Sequence, residues 1–191
     1  AATYTLRHLG LARTDVTIYQ GDCNGILLDE IFPKVKFEDY RRGLCILDPY
    51  GLDLAWSVIF AAGRMKSLDM FLNFPVMDMN RNVLWRNPEK VDSVQKARMN
   101  AYWGDESWKD AAYATNTTLF GEPEKQSNEL IAEAFRKRLK EVAGFAWVPA
   151  PLPMRNSTGA IVYYLFFASP KNAAEHIVLD IFEKYRGRGN I

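Results

Sequence analysis

The chain has 191 residues, 48% of them apolar and 25% charged, with a formal net charge of +1. That is the composition of an ordinary globular protein, long enough to bury a core as one domain. So even a balance demands neither nucleic acid nor a membrane surface as partner, and the basic clusters at 136–140 and 184–188 read first as solvated helix ends. No apolar run reaches the roughly 18–20 residues of a membrane span, and no signal peptide opens the sequence, so the expected location is cytoplasmic, away from membranes. Cys23 and Cys45, the only cysteines, flank apolar strand-like runs and read as small buried hydrophobes in a reducing compartment. His8 and His176 are too far apart and too poorly accompanied to suggest a metal site, and none is expected.

In chain order, Thr3–Leu11 reads as a helix stopped by Gly10. Val16–Tyr19 is β-branched and aromatic, closed by Gly21-Asp22, and predicts a strand. Gly25–Phe32 is a helical block ended by Pro33. Leu44–Leu47 is a continuous apolar strand of the kind covered on both faces. Ala55–Met65 predicts the following helix, and Met70–Phe74 another buried strand stopped by Pro75. Strand–helix–strand–helix–strand argues for parallel strands with crossover helices.

Residues at about 80–120 are rich in Asn, Asp, Lys and Trp, which predicts a polar helical insertion or lid within a single domain spanning 1–191. Ser127–Val142 is an amphipathic helix, with Leu130, Ile131, Ala134, Phe135, Leu139 and Val142 at three- and four-residue spacing and Gly144 behind. Phe145–Met154 is extended. Ser157-Thr158-Gly159 then turns the chain into the strand Ile161–Ala168, predicting an antiparallel pair at the sheet edge. Ala173–Tyr185, carrying Ile177, Leu179, Ile181 and Phe182, predicts a final helix before a basic tail.

Three constellations carry chemistry. Gly21-Asp22-Cys23-Asn24 follows a strand and opens a helix; Asp22 either accepts hydrogen bonds from a nucleoside or caps the helix, and Asn24 also stands where a cap would. In Asp48-Pro49-Tyr50, the aspartate accepts a hydrogen bond from an amino group, the proline leaves a carbonyl free, and the tyrosine offers a ring for stacking. The same triplet is equally ordinary turn chemistry. Neighbouring parallel strand tips converge on one cleft, so Asn73 and Arg81 can face Asp48, with Arg81 either a phosphate ligand or a solvated cation. Arg155 and Asn156 lie in the edge turn, as helpers at the site or as turn stabilisers. No Walker loop, Gly-x-Ser-x-Gly elbow or His-Glu-x-x-His motif is present.

With these residues in place, the chain resembles the three-Cys-motif partner proteins, a bacterial family similar to class I S-adenosylmethionine-dependent methyltransferases. The resemblance runs end to end. It rests on Gly21-Asp22-x-Asn24, Leu47–Leu52 with Trp56, Asn73-Phe74-Pro75 with Asn80-Arg81, Thr118–Gly121, Phe135-Arg136-x-Arg138-Leu139, Met154-Arg155-Asn156 and Tyr163–Ala168. It implies a Rossmann-like, doubly wound, mostly parallel α/β sheet with an antiparallel last strand. It also implies that Asp22, with Cys23 and Asn24, lies near the adenine of the methyl donor, and that Asp48-Pro49-Tyr50 lines the target pocket. Family members carry an earlier strand with a glycine-rich turn and an acidic strand end. The expectation is therefore a C-terminal two-thirds of such a fold, exposing the central edge of its sheet. One proline of the amino-methyltransferase pattern Asp-Pro-Pro-Tyr is missing here, which puts the stacking role of Tyr50 in question.

Two functions follow from the resemblance. In one, the complete protein transfers a methyl group from S-adenosylmethionine to an amine of a nucleic acid or nucleoside-like substrate, while this fragment alone is inactive. In the other, the fold serves as a non-catalytic partner subunit of a three-Cys-motif protein.

Overall fold

The computed structural model describes residues 15–117 and 123–186; the helix expected over Thr3–Leu11, the Thr118–Gly121 motif and the basic tail lie outside them. Cys23–Gly25 is one helical turn, which widens into a π-helical stretch, Ile26–Ile31, and tightens to a 3-10 turn, Phe32–Lys34, at Pro33. The named elements that follow are β1 (Gly43–Leu47), α1 (Trp56–Met65), β2 (Leu68–Phe74), α2 (Val76–Asn82), α3 (Ser93–Trp103), α4 (Trp108–Ala112), β3 (Tyr113–Thr117), β4 (Pro123–Lys125), α5 (Asn128–Glu141), β5 (Leu152–Arg155), β6 (Ile161–Ala168) and α6 (Glu175–Arg186). The chain is α/β. Residues 16–19, expected as a strand, are exposed and belong to no sheet, because a β-branched run without a ladder partner has nothing to hold it extended.

The main sheet has the order β1-β2-β6-β5. β1 and β2 are parallel, as the intervening helix α1 requires, whereas β6 runs antiparallel to both its neighbours. Three of the four strands therefore point the same way, yet only one of the three pairings is parallel. The last strand, β6, is the reversed one, and with β5 it forms the expected edge pair. Its turn is tied by the Asn156 side chain, which accepts from the Thr158 and Ala160 backbone N–H groups.

Alternation assigns the two faces. Met70, Leu72 and Phe74 of β2 point with Phe166 of β6 into the main core, against Val58 and Ile59 of α1 and Phe135 of α5. Phe135 is the hub: the rings of Phe74, Tyr102, Trp103, Phe166 and Trp56 lie at centroid distances from 4.7 to 5.9 Å. Tyr102 and Trp103 come from α3, within the stretch expected to be a polar insertion. Its Met99, Tyr102, Trp103 and Trp108 are buried in the common core, so this segment is a wall of the fold and not a detached lid.

The opposite face is covered over β5 and β6, where Val178 and Phe182 of α6 meet Leu152 and Phe167, with Phe71 of β2 packed against their edge. Ile177, Leu179 and Ile181, expected to pack, are exposed, because a shallow sheet face buries only the i, i+4 stripe 178/182. β1 departs most from expectation. Leu44 and Ile46 stand in register beside Asp69 and Phe71 on this second face and are 56% and 71% exposed. No described strand pairs with the outer edge of β1. Its apolar run is covered on one face, through Cys45 and Leu47, and bare on the other. Among the described residues, no helix is long and apolar enough to cross a membrane.

Candidate active site

The parallel pair β1–β2 ends in register at Leu47 and Leu72, so Asp48, just past β1, stands beside Asn73, which is still in β2 and paired with Leu165 of β6. Asn73 Nδ2 donates to Asp48 Oδ1 at 2.6 Å, which orients one carboxylate oxygen and leaves the other to a ligand. Pro49 and Tyr50 turn the chain outward to Gly51, whose φ of +60° lies in the left-handed region. Only glycine fits there for a second reason: a Cβ at position 51 would come within 2.7 Å of Asp78 Oδ2.

Two cavities share Asp48 and Pro49 as their common wall. The first, about 260 Å³, lies on the side of Tyr50, Asn73, Asp78, Arg81 and Tyr163. Its lining carries two carboxylates, an arginine and an amide beside Pro75, Met77 and Val162, which makes it the more polar in side-chain chemistry of the two. Asp78 Oδ1 accepts from Asn82 Nδ2 at 2.8 Å, while Oδ2 is buried without a hydrogen-bond partner. Such an orphaned acceptor marks where a donor is wanted. Tyr50 is 91% exposed, so its ring stands at the mouth and does not line the interior as a stacked wall.

The second cavity, about 340 Å³, lies on the opposite side of Asp48 and is walled by Tyr19, Cys23, Ile26, Leu27, Ile46 and Leu54, among others. Its size is at the lower end of the range for small-molecule sites. The apolar walls and the tyrosine suit a flat heteroaromatic ring; among the residues lining it, only Asp48 carries a charge.

Each residue expected at the site now has a place. Asp48, Pro49, Tyr50, Asn73 and Arg81 come together around the polar cavity, and Cys23 lines the apolar one. Cys23 is exposed, contrary to the reading of both cysteines as buried, because the helical stretch starting at it packs on the core only from Leu27 onward. Cys45 is the half-buried one, and burial pushes its thiol up to about 11.

Asp22 and Asn24 line neither cavity. Asp22 caps the helical turn, accepting from the N–H groups of Gly25 at 3.1 Å and Asn24 at 3.3 Å, and these bonds hold its carboxyl below the ordinary value. Asn24 reaches across to the loop behind β1, donating to the Asp53 carbonyl and accepting from the Ala55 N–H. It thereby ties the Cys23 turn to the start of α1. Arg155 donates to the Gly159 carbonyl at 2.8 Å and Asn156 holds the hairpin turn, so both serve β5–β6 and line neither of these two cavities.

Sequence reasoning missed Asp78 and Tyr163. Asp78 carried a signal, an acidic residue in the first turn after Pro75, but it reads as ordinary helix-dipole compensation. Tyr163 was visible only as one position of an alternating strand.

Among the described residues, no group of three or more His, Cys, Asp and Glu could hold a metal ion. Set against family models, curated proteins and solved structures, the chain matches none of them.

Proposed function

We propose that this chain is the catalytic portion of a methyltransferase-like protein that moves a methyl group from S-adenosylmethionine to an amine of a nucleic acid or nucleoside-like substrate. One observation carries the reading: Asp48-Pro49 is the shared wall of two cavities, one that also holds Asp78 and Arg81 and one in which Asp48 is the only charge, with its carboxylate already oriented by Asn73. A transfer between two bound molecules needs such a shared wall, and its catalysis is mostly positioning. The parallel β1–β2 pair beside a reversed last strand supports a Rossmann-like arrangement.

Tyr19, Cys23 and the neighbouring aliphatic side chains would hold the adenosyl portion. The donor, when bound, supplies an electrophilic methyl carbon on a sulfonium and departs as a thioether. Asp48 accepts an N–H of the substrate amine and turns the nitrogen lone pair toward the other cavity. As the C–N bond forms, the nitrogen gains positive charge, which the carboxylate stabilises until the surplus proton leaves to water. Arg81 offers a fork for a phosphate.

The test is calorimetric titration with S-adenosylmethionine, then transfer of a labelled methyl group to adenine- and cytosine-containing oligonucleotides. Binding and transfer are expected for the protein. Substituting Asp48→Ala is expected to abolish transfer with the melting temperature kept. Full turnover by that variant would remove Asp48 from the mechanism, and absence of donor binding by the protein would overturn the reading.

The bare edge of β1 favours a second reading, a partner subunit of a three-Cys-motif protein. Leu44 and Ile46, beside backbone groups that no described strand pairs, are the kind of surface that another chain covers. Co-purification of the two proteins without donor binding would favour it.

A further inference from the structure

We infer that the rim of the Asp48 cavity carries a base-stacking platform, Trp85 between Arg81 and Arg86, which takes the unpaired stretch of a single-stranded polynucleotide. This rests on the reading of that cavity as the amine site, and it makes the substrate a polymer rather than a free nucleoside.

The sequence has five tryptophans. Four have a ring or a cation against them: Trp56 meets Phe135 and Arg138, Trp103 meets Phe135, Trp108 meets Lys109, and Trp147 meets Phe167. Among the described residues, nothing stacks on Trp85, which is 43% exposed. Its polar atoms, by contrast, are all engaged within the protein. The indole Nε1 donates to the Arg81 carbonyl at 2.7 Å, the backbone N–H donates to the Val83 carbonyl at 2.9 Å, and the carbonyl accepts from Tyr113 Oη at 2.8 Å.

The two residues before it, Val83 and Leu84, are buried at 0% and 1% exposure and anchor the turn. A large apolar ring is thus held rigidly at the surface with only its face left unsatisfied. That costs the free protein apolar exposure, and a stacked base recovers it at little ordering cost.

The charges beside the ring have the sign that a phosphate chain needs. Arg81, Arg86 and Lys90 are exposed and make no ion pair among the described residues, and Glu89 is the only acid between positions 81 and 90. Position is the remaining argument. Arg81 lines the cavity with Asp48, and the indole is hydrogen-bonded to the Arg81 carbonyl, so the platform adjoins the cavity mouth. A strand whose one base enters beside Asp48 can lay the next on Trp85. A duplex keeps its base faces covered and cannot.

The experiment is fluorescence anisotropy with 5′-labelled twelve-residue oligomers of mixed sequence: single-stranded RNA, single-stranded DNA and the DNA duplex. Both single strands are expected to bind at least tenfold more tightly than the duplex; an RNA preference would add a ribose contact and keep the platform. Trp85→Ala should weaken single-strand binding about 10- to 100-fold, and Trp85→Phe, which keeps a ring, should restore most of it. Arg81→Ala with Arg86→Ala should lower the slope of log Kd against log salt by about 1.4, the effect of two lost phosphate contacts.

Equal binding of duplex and single strand, no binding of either, or an unchanged Kd in Trp85→Ala would each overturn the inference. The outcomes separate from those of the proposed function. Donor binding and methylation of a free nucleoside, without polymer binding, would keep the activity and remove the platform. Polymer binding sensitive to Trp85, without donor binding, would keep the platform and remove the activity.

Discussion

Asn73 Nδ2 lies 2.6 Å from Asp48 Oδ1, one residue past the last register pair of β1 and β2. Asp48 stands where β1 stops, and Asn73 is the penultimate residue of β2, still paired with β6. The hydrogen bond is therefore set by the ladder beneath it, and the carboxylate needs no reorganisation when a substrate arrives. Asn73→Ala is expected to leave the fold intact, because the residue is at a strand end and only half-buried. It should lower kcat for methyl transfer about 10- to 100-fold with little change in KM. A loss confined to KM would instead make Asn73 a substrate ligand.

Gly51 and Asp78 make a second testable pair. Alanine at 51 faces two penalties, a φ of +60° and a Cβ 2.7 Å from Asp78 Oδ2. The expected cost of Gly51→Ala is about 2–4 kcal/mol of stability, measured by urea denaturation. Adding Asp78→Ala removes the clash and keeps the backbone strain. The double variant should then recover part of the loss, about 1 kcal/mol or more of coupling. Strict additivity would mean that the Asp48–Gly51 turn does not rest on Asp78.

Arg138 ties α5 to the end of α3. Its guanidinium donates to the Trp103 carbonyl and to Asp105 Oδ2, both at 2.6 Å, and lies 4.6 Å from the centre of the Trp56 ring. Substituting Arg138→Ala strands the Trp103 carbonyl and should cost about 2–4 kcal/mol. Lysine cannot make the same fork, so Arg138→Lys should rescue less than half.

Burial alone would raise the Asp105 carboxyl, but the hydrogen bonds from Ser107 and then Arg138 outweigh it and hold the group below 3.8. A carboxylate depressed on folding stabilises fully above its unfolded value and loses that contribution as pH falls through the folded one. The stability gap between the native protein and Asp105→Asn should therefore be present at pH 7 and shrink below pH 3.8. Asp105 is half exposed, so the gap should be below about 1 kcal/mol. A gap independent of pH would show that the charge on Asp105 is immaterial.

How much of this was legible from the residues follows from which signals are local. β1 and β2 were visible as continuous apolar runs, and their tips delivered Asp48, Asn73 and Arg81 to one cavity. The coverage of β1 was not legible, since an apolar run does not say which of its faces acquires a partner. Average polarity hid the contribution of 80–120 to the core, because Met99, Tyr102, Trp103 and Trp108 are embedded among Asn, Asp and Lys. Asp22, Asn24, Arg155 and Asn156 carried polar side chains in turns, where the nearest backbone groups outcompete a ligand. The π-helical stretch at 26–31 has no sequence signature that distinguishes it from an α-helix.

The two cysteines report on the apolar cavity directly. Cys23 is exposed at its wall, whereas the half-buried Cys45 has its thiol pushed up to about 11, so that roughly one molecule in a thousand is ionised there at pH 8. An aromatic disulfide reagent at pH 8 should modify one thiol quickly and the other only slowly or on unfolding. Cys23→Ser should remove the fast phase and leave the slow one. Raising the pH toward 11 should accelerate Cys45 by increasing its thiolate fraction, up to the point where the fold is lost. Saturating S-adenosylmethionine should slow the fast phase severalfold, because a molecule in that cavity stands between the reagent and Cys23. A fast phase unchanged at saturating donor would mean that the donor, if it binds, does so elsewhere.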